Sequence, residues 1–193
     1  MSKKKLFLID GHSLLYRAYY AIRNLSTSKG FPTNAIYGFI SMLRKLQEKE
    51  NLAYLGVVFD VEGPTVRHKA FKEYKAQRKP MPDDLAVQLP VLKKVLEAMR
   101  IPVVEIENYE ADDVLGSLAL KASSKKVPTV LVSTDKDLFQ LVNESTTVYN
   151  PVKEIYLDEK AVEENFGVPP SQVIDVLALW GDPSDNIPGV PGI

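Results

Sequence analysis

Glu110, Asp112 and Asp113 place three carboxylates within four residues, in Tyr109-Glu110-Ala111-Asp112-Asp113, where apolar residues at helical spacing begin. Helix N-termini favour acids through the macrodipole, by about 0.3 to 1 kcal/mol each, and one capping carboxylate suffices for that. Three together repel one another. A divalent cation among them turns the repulsion into coordination, because hard ions such as magnesium take oxygen ligands and need nearby negative charge. Asp10, Asp60, Asp135 and Asp137 extend the pattern, each following a short apolar run.

A second group carries the opposite charge. Between Thr65 and Lys79 stand Arg67, Lys69, Lys72, Lys75, Arg78 and Lys79 against one acid, Glu73. At about 100° per residue Val66, Ala70, Phe71 and Tyr74 form an apolar stripe, yet Arg67 and Arg78 project into it, which a core helix would not tolerate. Lys75 and Arg78, three apart on a predicted helical face, can reach phosphate oxygens and neutralise charge that develops on them. Pro80 and Pro82 isolate the segment, whose like charges predict mobility without a polyanion.

The elements that must position these groups read as alternating strands and helices. Apolar runs at 5–9, 54–59, 102–106 and 129–133 predict strands, those at 5–9 and 54–59 buried on both faces. Between them the pattern predicts helices after Ser13, after Asn34, from Asp83 or Asp84 to Arg100, and from 110 onward. Thr146 to Tyr149 and Glu154 to Leu157 suggest a hairpin at the sheet edge. Asp158 caps a helix that Gly167 ends, Ser171 to Trp180 is another, and the last thirteen residues are turn-rich. This is an α/β chain with a mainly parallel central sheet flanked by helices.

Right-handed crossovers put the C-terminal ends of parallel strands on one edge, where ligands bind in such folds. Asp10, Asp60, Glu110, Asp112, Asp113, Asp135 and Asp137 all collect there. Singly, each can be an N-cap; together, with no matching bases nearby in sequence, they raise each other's pKa. Cations resolve the conflict. With no cysteine in 193 residues, thiolate-bound zinc is excluded, and His12 is read as a loop or helix-start residue. An all-oxygen donor set points to magnesium or manganese, and so many carboxylates to two ions. Two metals about 3.5 to 4 Å apart activate water on one side of a phosphodiester and stabilise the leaving oxyanion on the other.

Composition bounds the rest. Hydrophobic content of 45% and charged content of 25% fit an ordinary soluble domain, and the lack of any cysteine predicts a reducing compartment. The apolar run after the basic lead-in Met1-Ser2-Lys3-Lys4-Lys5 stops at Asp10, too short for a signal peptide or a membrane span. There is no P-loop, no GxSxG elbow and no cysteine nucleophile.

Leu8-Ile9-Asp10-Gly11, Val58-Phe59-Asp60, Tyr74-Lys75-Ala76-Gln77-Arg78, Tyr109-Glu110-Ala111-Asp112-Asp113, Ser133-Thr134-Asp135-Lys136-Asp137 and Gly181-Asp182-Pro183-Ser184-Asp185-Asn186-Ile187-Pro188-Gly189 occur in that order. The ordered set closely resembles the flap endonuclease family, and within it the 5'-to-3' exonuclease domains of bacterial DNA polymerase I. The resemblance implies a PIN-like 5' nuclease core over 1–181, with a basic helical arch over 64–82, and the start of a truncated helix-hairpin-helix module over 182–193. It implies a monomeric, magnesium-dependent nuclease that uses two ions, replaceable by manganese, and acts on DNA 5' flaps and 5' ends. The expected setting is the cytoplasm, at the bacterial nucleoid, with a polymerase domain possible in a longer parent chain and no membrane partner.

The same resemblance implies metal ligation by Asp10, Asp60, Glu110, Asp112, Asp113, Asp135, Asp137, Asp182 and Asp185, directly or through water. Asp112 stands near both ions in this reading, and Lys75 with Arg78 contact the scissile phosphate. Arg17, Arg67 and Lys72 are implied DNA contacts, and Tyr74 a base-stacking one. Two other readings fit the acidic edge: a PIN-like ribonuclease, and a catalytically weak nucleic-acid-binding piece. A two-aspartate phosphatase fits poorly, because His12 stands where its second acid belongs.

Overall fold

Strand β1 (Leu6–Asp10) lies at the centre of a six-stranded sheet in a computed structural model that describes residues 4–50 and 52–192. Residues 1–3 of the basic lead-in and Ile193 of the terminal motif fall outside the described residues. β2 (Tyr54–Val58), β3 (Val103–Val104), β4 (Thr129–Val132), β5 (Thr146–Asn150) and β6 (Ile155–Leu157) complete the sheet in the order β3-β2-β1-β4-β5-β6. All neighbours pair in parallel except β5 with β6, the expected edge hairpin.

The apolar runs form strands because both faces are covered. Phe7 and Ile9 point into one core with Leu14, Phe39, Leu43, Leu92 and Leu96, from α1 (Gly11–Ala21), α2 (Asn34–Lys49) and, after the single-turn α4 (Asp83–Ala86), α5 (Gln88–Ala98). Leu8 points the other way, into a core with Val114, Leu115, Val162 and Val173, from α6 (Ala111–Ser124), α7 (Glu159–Phe166) and α8 (Val173–Trp180). Strand order reverses between β1 and β4, so a crevice opens at their C-terminal ends.

Four local expectations differ. Asp10, not Ser13, caps α1, since its carboxylate accepts the Ser13 N–H at 3.0 Å. Gly11 follows at once because a Cβ there would meet the Phe59 ring at 2.5 Å. Thr33 holds the N-cap position of α2, while Asn34 is buried and donates to the Tyr19 and Ile22 carbonyls, tying α1 to α2. The predicted long helix ending near Arg100 is divided between α4 and α5. The basic segment is helical only over α3 (Val66–Ala70); turns follow over 72–77, so Lys75 and Arg78 share no helical face. The final turn pairs β7 (Gly181–Asp182) with β8 (Ile187–Pro188) and folds back onto those turns, with the Lys75 N–H donating to the Asp185 carbonyl at 3.0 Å. No helix among the described residues is long and apolar enough to cross a membrane.

Candidate metal and phosphodiester site

Register delivers the first acids. Ile9 pairs with Val132 and Asp10 with Val58, so the residues just past the three central strands are neighbours. Asp10 is buried. Its Oδ1 accepts from the Ser13 N–H and its Oδ2 from the Ser133 hydroxyl at 2.8 Å. Burial raises its pKa to about 6 against these hydrogen bonds, and the Asp135 and Asp60 charges add to the rise. Asp135 begins the next turn, its Oδ1 accepting the Asp137 N–H at 2.9 Å. Asp60 is half-buried, and its Oδ1 accepts the Ala111 N–H at 2.7 Å, which joins the end of β2 to the start of α6. Burial lifts the Asp60 carboxyl, but the hydrogen bonds from His12 and Ala111 outweigh it and leave the pKa below the ordinary value.

The start of α6 supplies the centre. Glu110 stands at the N-cap and is 6% exposed, and its backbone N–H donates to Asp113 Oδ2 at 3.1 Å. Asp112 carries the largest rise among these acids, to about 8, from burial first and then from the charges of Asp10, Asp135 and Asp60. Asp113 is held low, chiefly by a bidentate pair with Arg67 at 2.6 and 2.7 Å. Asp137 rises to about 6 through burial and the charges of Asp135 and Asp182, and its Oδ1 is buried without any hydrogen-bond partner. Asp182 accepts from the Ser184 N–H and hydroxyl at 2.8 and 2.5 Å.

The basic segment closes over these acids. Lys75 Nζ donates to Glu110 Oε2 at 2.8 Å and lies 3.6 Å from Asp185, with its backbone at φ +55°. Tyr74, expected to stack on a base, is buried here: its hydroxyl lies 3.0 Å from Glu110 Oε2 and 2.9 Å from Asp185 Oδ2. Arg78 pairs with Asp185 at 2.7 Å. In sequence Lys136 stands between two of the acids; the fold brings Lys75 to Glu110 from 35 residues away and Arg78 to Asp185 from 107. Lys72 is exposed, and exposed Arg17 on α1 lines a cleft of about 1310 Å³ together with Arg78, Asp10, Asp60, Glu110, Asp112 and Asp135. A second cleft, of about 750 Å³, takes Asp113, Asp137, Asp182 and Asp185, and Glu110 and Asp112 line both.

The donors are oxygen throughout, the carboxylates outnumber their partners, and Asp137 keeps an orphaned oxygen, so the chemistry suits hard cations. Among the described residues, no three acidic or histidine side chains already converge as a finished cage. Ser133, Ser13, His12 and Thr65 support the site, although the sequence pattern assigns none of them a role in it: it predicts Ser13 as a helix cap and His12 as a loop or helix-start residue. His12 Nδ1 lies 3.1 Å from the Asp60 N–H nitrogen, and the Thr65 hydroxyl donates to Glu110 Oε1 at 3.2 Å. The one signal for Ser133 was a polar residue ending an apolar run.

Residues 5–167 match the family model described as the 5'-3' exonuclease, N-terminal resolvase-like domain. The chain belongs to this 5'-3' exonuclease family. A 5'-3' exonuclease from Aquifex aeolicus is 48% identical over 98% of the chain, which spans 66% of that protein. DNA polymerase I of Bacillus caldotenax is 47% identical over 99% of the chain, which spans 22% of the polymerase. In three dimensions the domain resembles the bacteriophage T5 D15 flap endonuclease, solved with DNA and metal ions, at a TM-score of 0.80 and 24% identity over 98% of this chain and 71% of that one. It also resembles the catalytic core of Rad2, solved with a DNA substrate, at 0.60 and 19% identity over 99% and 58%. The exonuclease domain therefore shares the α/β fold of these nucleases.

Proposed function

We propose that this chain hydrolyses DNA phosphodiester bonds at 5' flaps and 5' ends, as a structure-specific 5' nuclease of replication and repair. The observation that carries the reading is the meeting of acids from four loop regions with Arg17, Lys75 and Arg78 at one sheet edge. Two magnesium ions, replaceable by manganese, are the proposed cofactors. Asp10, Asp60 and Asp135 would serve one, Asp113, Asp137, Asp182 and Asp185 the other, and Glu110 and Asp112 both, some of them through water. Such a pair supplies an activated water and charge stabilisation for the leaving oxygen.

The chain's own residues do the rest. Lys75 and Arg78 exchange their carboxylate partners for the scissile phosphate, Arg17 holds a neighbouring phosphate, and Arg67 and Lys72 bind along the strand. Tyr74, released from Glu110 and Asp185, becomes free to stack on a base. The division into a nuclease core over 1–181, with the basic arch over 64–82, and the opening of a helix-hairpin-helix module over 182–193 belongs to the same reading. So do a monomeric state, a nucleoid setting and a polymerase domain in a longer parent chain. Asp112→Asn abolishes cleavage of a 5'-flapped duplex in magnesium on this reading; full retained activity would sink it. Faster cleavage of single-stranded RNA than of flapped DNA would transfer the assignment to a ribonuclease.

A further inference from the structure

Ser133 is the first residue past β4 and only 1% exposed, although it is polar. Its backbone N–H donates to the Tyr149 carbonyl at 3.2 Å, so β5 fixes the position of its Cα. The hydroxyl then does two things at once. It donates its single proton to Asp10 Oδ2 at 2.8 Å and accepts the Asp135 N–H at 3.1 Å. Ser13 Oγ lies 3.3 Å away and in turn accepts the Thr134 N–H, also at 3.3 Å.

We propose that Ser133 is a positioning residue that sets the distance between Asp10, at the end of β1, and the turn carrying Asp135 and Asp137. The inference rests on the metal-site reading above. One oxygen atom is shared between the two halves of the carboxylate cluster, through a buried hydrogen bond to Asp10 and a part-buried one from the Asp135 N–H. Because the donor is neutral, Asp10 keeps its negative charge for a cation, whereas Glu110 shares its charge with an ammonium. A threonine supplies the same donor and acceptor from the same backbone position. An alanine strands the Asp135 N–H and leaves Asp10 with Ser13 alone, in a place water reaches poorly.

The test is a calorimetric titration of the full 193-residue chain with magnesium, run beside flap cleavage and thermal unfolding in metal-free buffer. Ser133→Ala weakens magnesium about tenfold, the low end for partners that orient a metal ligand. Ser133→Cys, which keeps the volume with a poor donor, behaves like Ser133→Ala while remaining folded. Ser133→Thr restores binding to within about threefold of the parent. Parent-like affinity in both Ser133→Ala and Ser133→Cys overturns the proposal. A Ser133→Thr chain as weak as Ser133→Ala overturns it as well, since shape and not the hydroxyl would then matter. If the parent itself binds no magnesium, the metal-site reading fails along with it.

Discussion

Asp10 and Glu110 are both 6% exposed, yet neutral donors hold the first and a cation holds much of the second. Around Asp10 the partners are the Ser13 N–H and the Ser133 hydroxyl, both set by strands or by the first turn of a helix. Around Glu110 they are Lys75, Tyr74 and Thr65, from a segment whose helix ends at Ala70. The difference teaches how such a site divides its labour. On the sheet side the geometry of Asp10 is set by two neutral hydrogen bonds. The basic segment neutralises Glu110 and Asp185 with Lys75 and Arg78, the groups proposed above to bind phosphate.

Removing Lys75 breaks this contrast most severely. Lys75→Ala should cut flap cleavage by about 10²- to 10³-fold, the scale seen when one charge-stabilising donor is lost. Magnesium affinity should rise in the same variant, because Glu110 no longer shares its charge with an ammonium. An unchanged affinity in calorimetry would remove the contrast drawn between the two sides.

The next effect concerns pH. The Asp112 pKa is raised from 3.8 to about 8, so the native state holds a proton that the unfolded chain releases above pH 4. Metal-free parent protein therefore loses stability as pH rises from about 4 to 8, by an amount on the order of a few kcal/mol for this group. Asp112→Asn has no proton to lose there. Its melting temperature in chelator should gain on the parent steadily from pH 5 to pH 8; a constant gap would contradict the shift.

Two smaller changes sharpen the arch side. Tyr74→Phe removes the hydroxyl beside Glu110 and Asp185, and should cost about 1 kcal/mol. For a domain of this size that is a fall of about 2 to 4 °C in melting temperature. Arg67→Ala breaks the bidentate pair with Asp113, but the guanidinium side chain is 42% exposed and solvent screens it, so the loss should be about 0.5 to 1 kcal/mol. Limited proteolysis within 66–79 should quicken in that variant while cleavage elsewhere stays unchanged.

The chain's pattern of apolar runs ending in acids determined a great deal by itself. Leu6 to Ile9 has no polar face, so it had to be covered on both sides. Parallel crossover topology then forced Asp10, Asp60, the 110–113 acids and Asp135 onto one edge. Sequence also gave Asp158 and Gly167 their capping roles, since those depend on local backbone alone. Tertiary structure decided what local pattern could not carry. Asp10 capped α1 because strand pairing fixed it one turn ahead of Ser13. The basic segment is helical only to Ala70, and beyond it Lys75, at φ +55°, and Arg78 pair with acids far away in sequence. The pairing of Glu110 with Lys75, and of Asp10 with Ser133 across 123 residues, depends on register and crossover, which no short window of sequence contains.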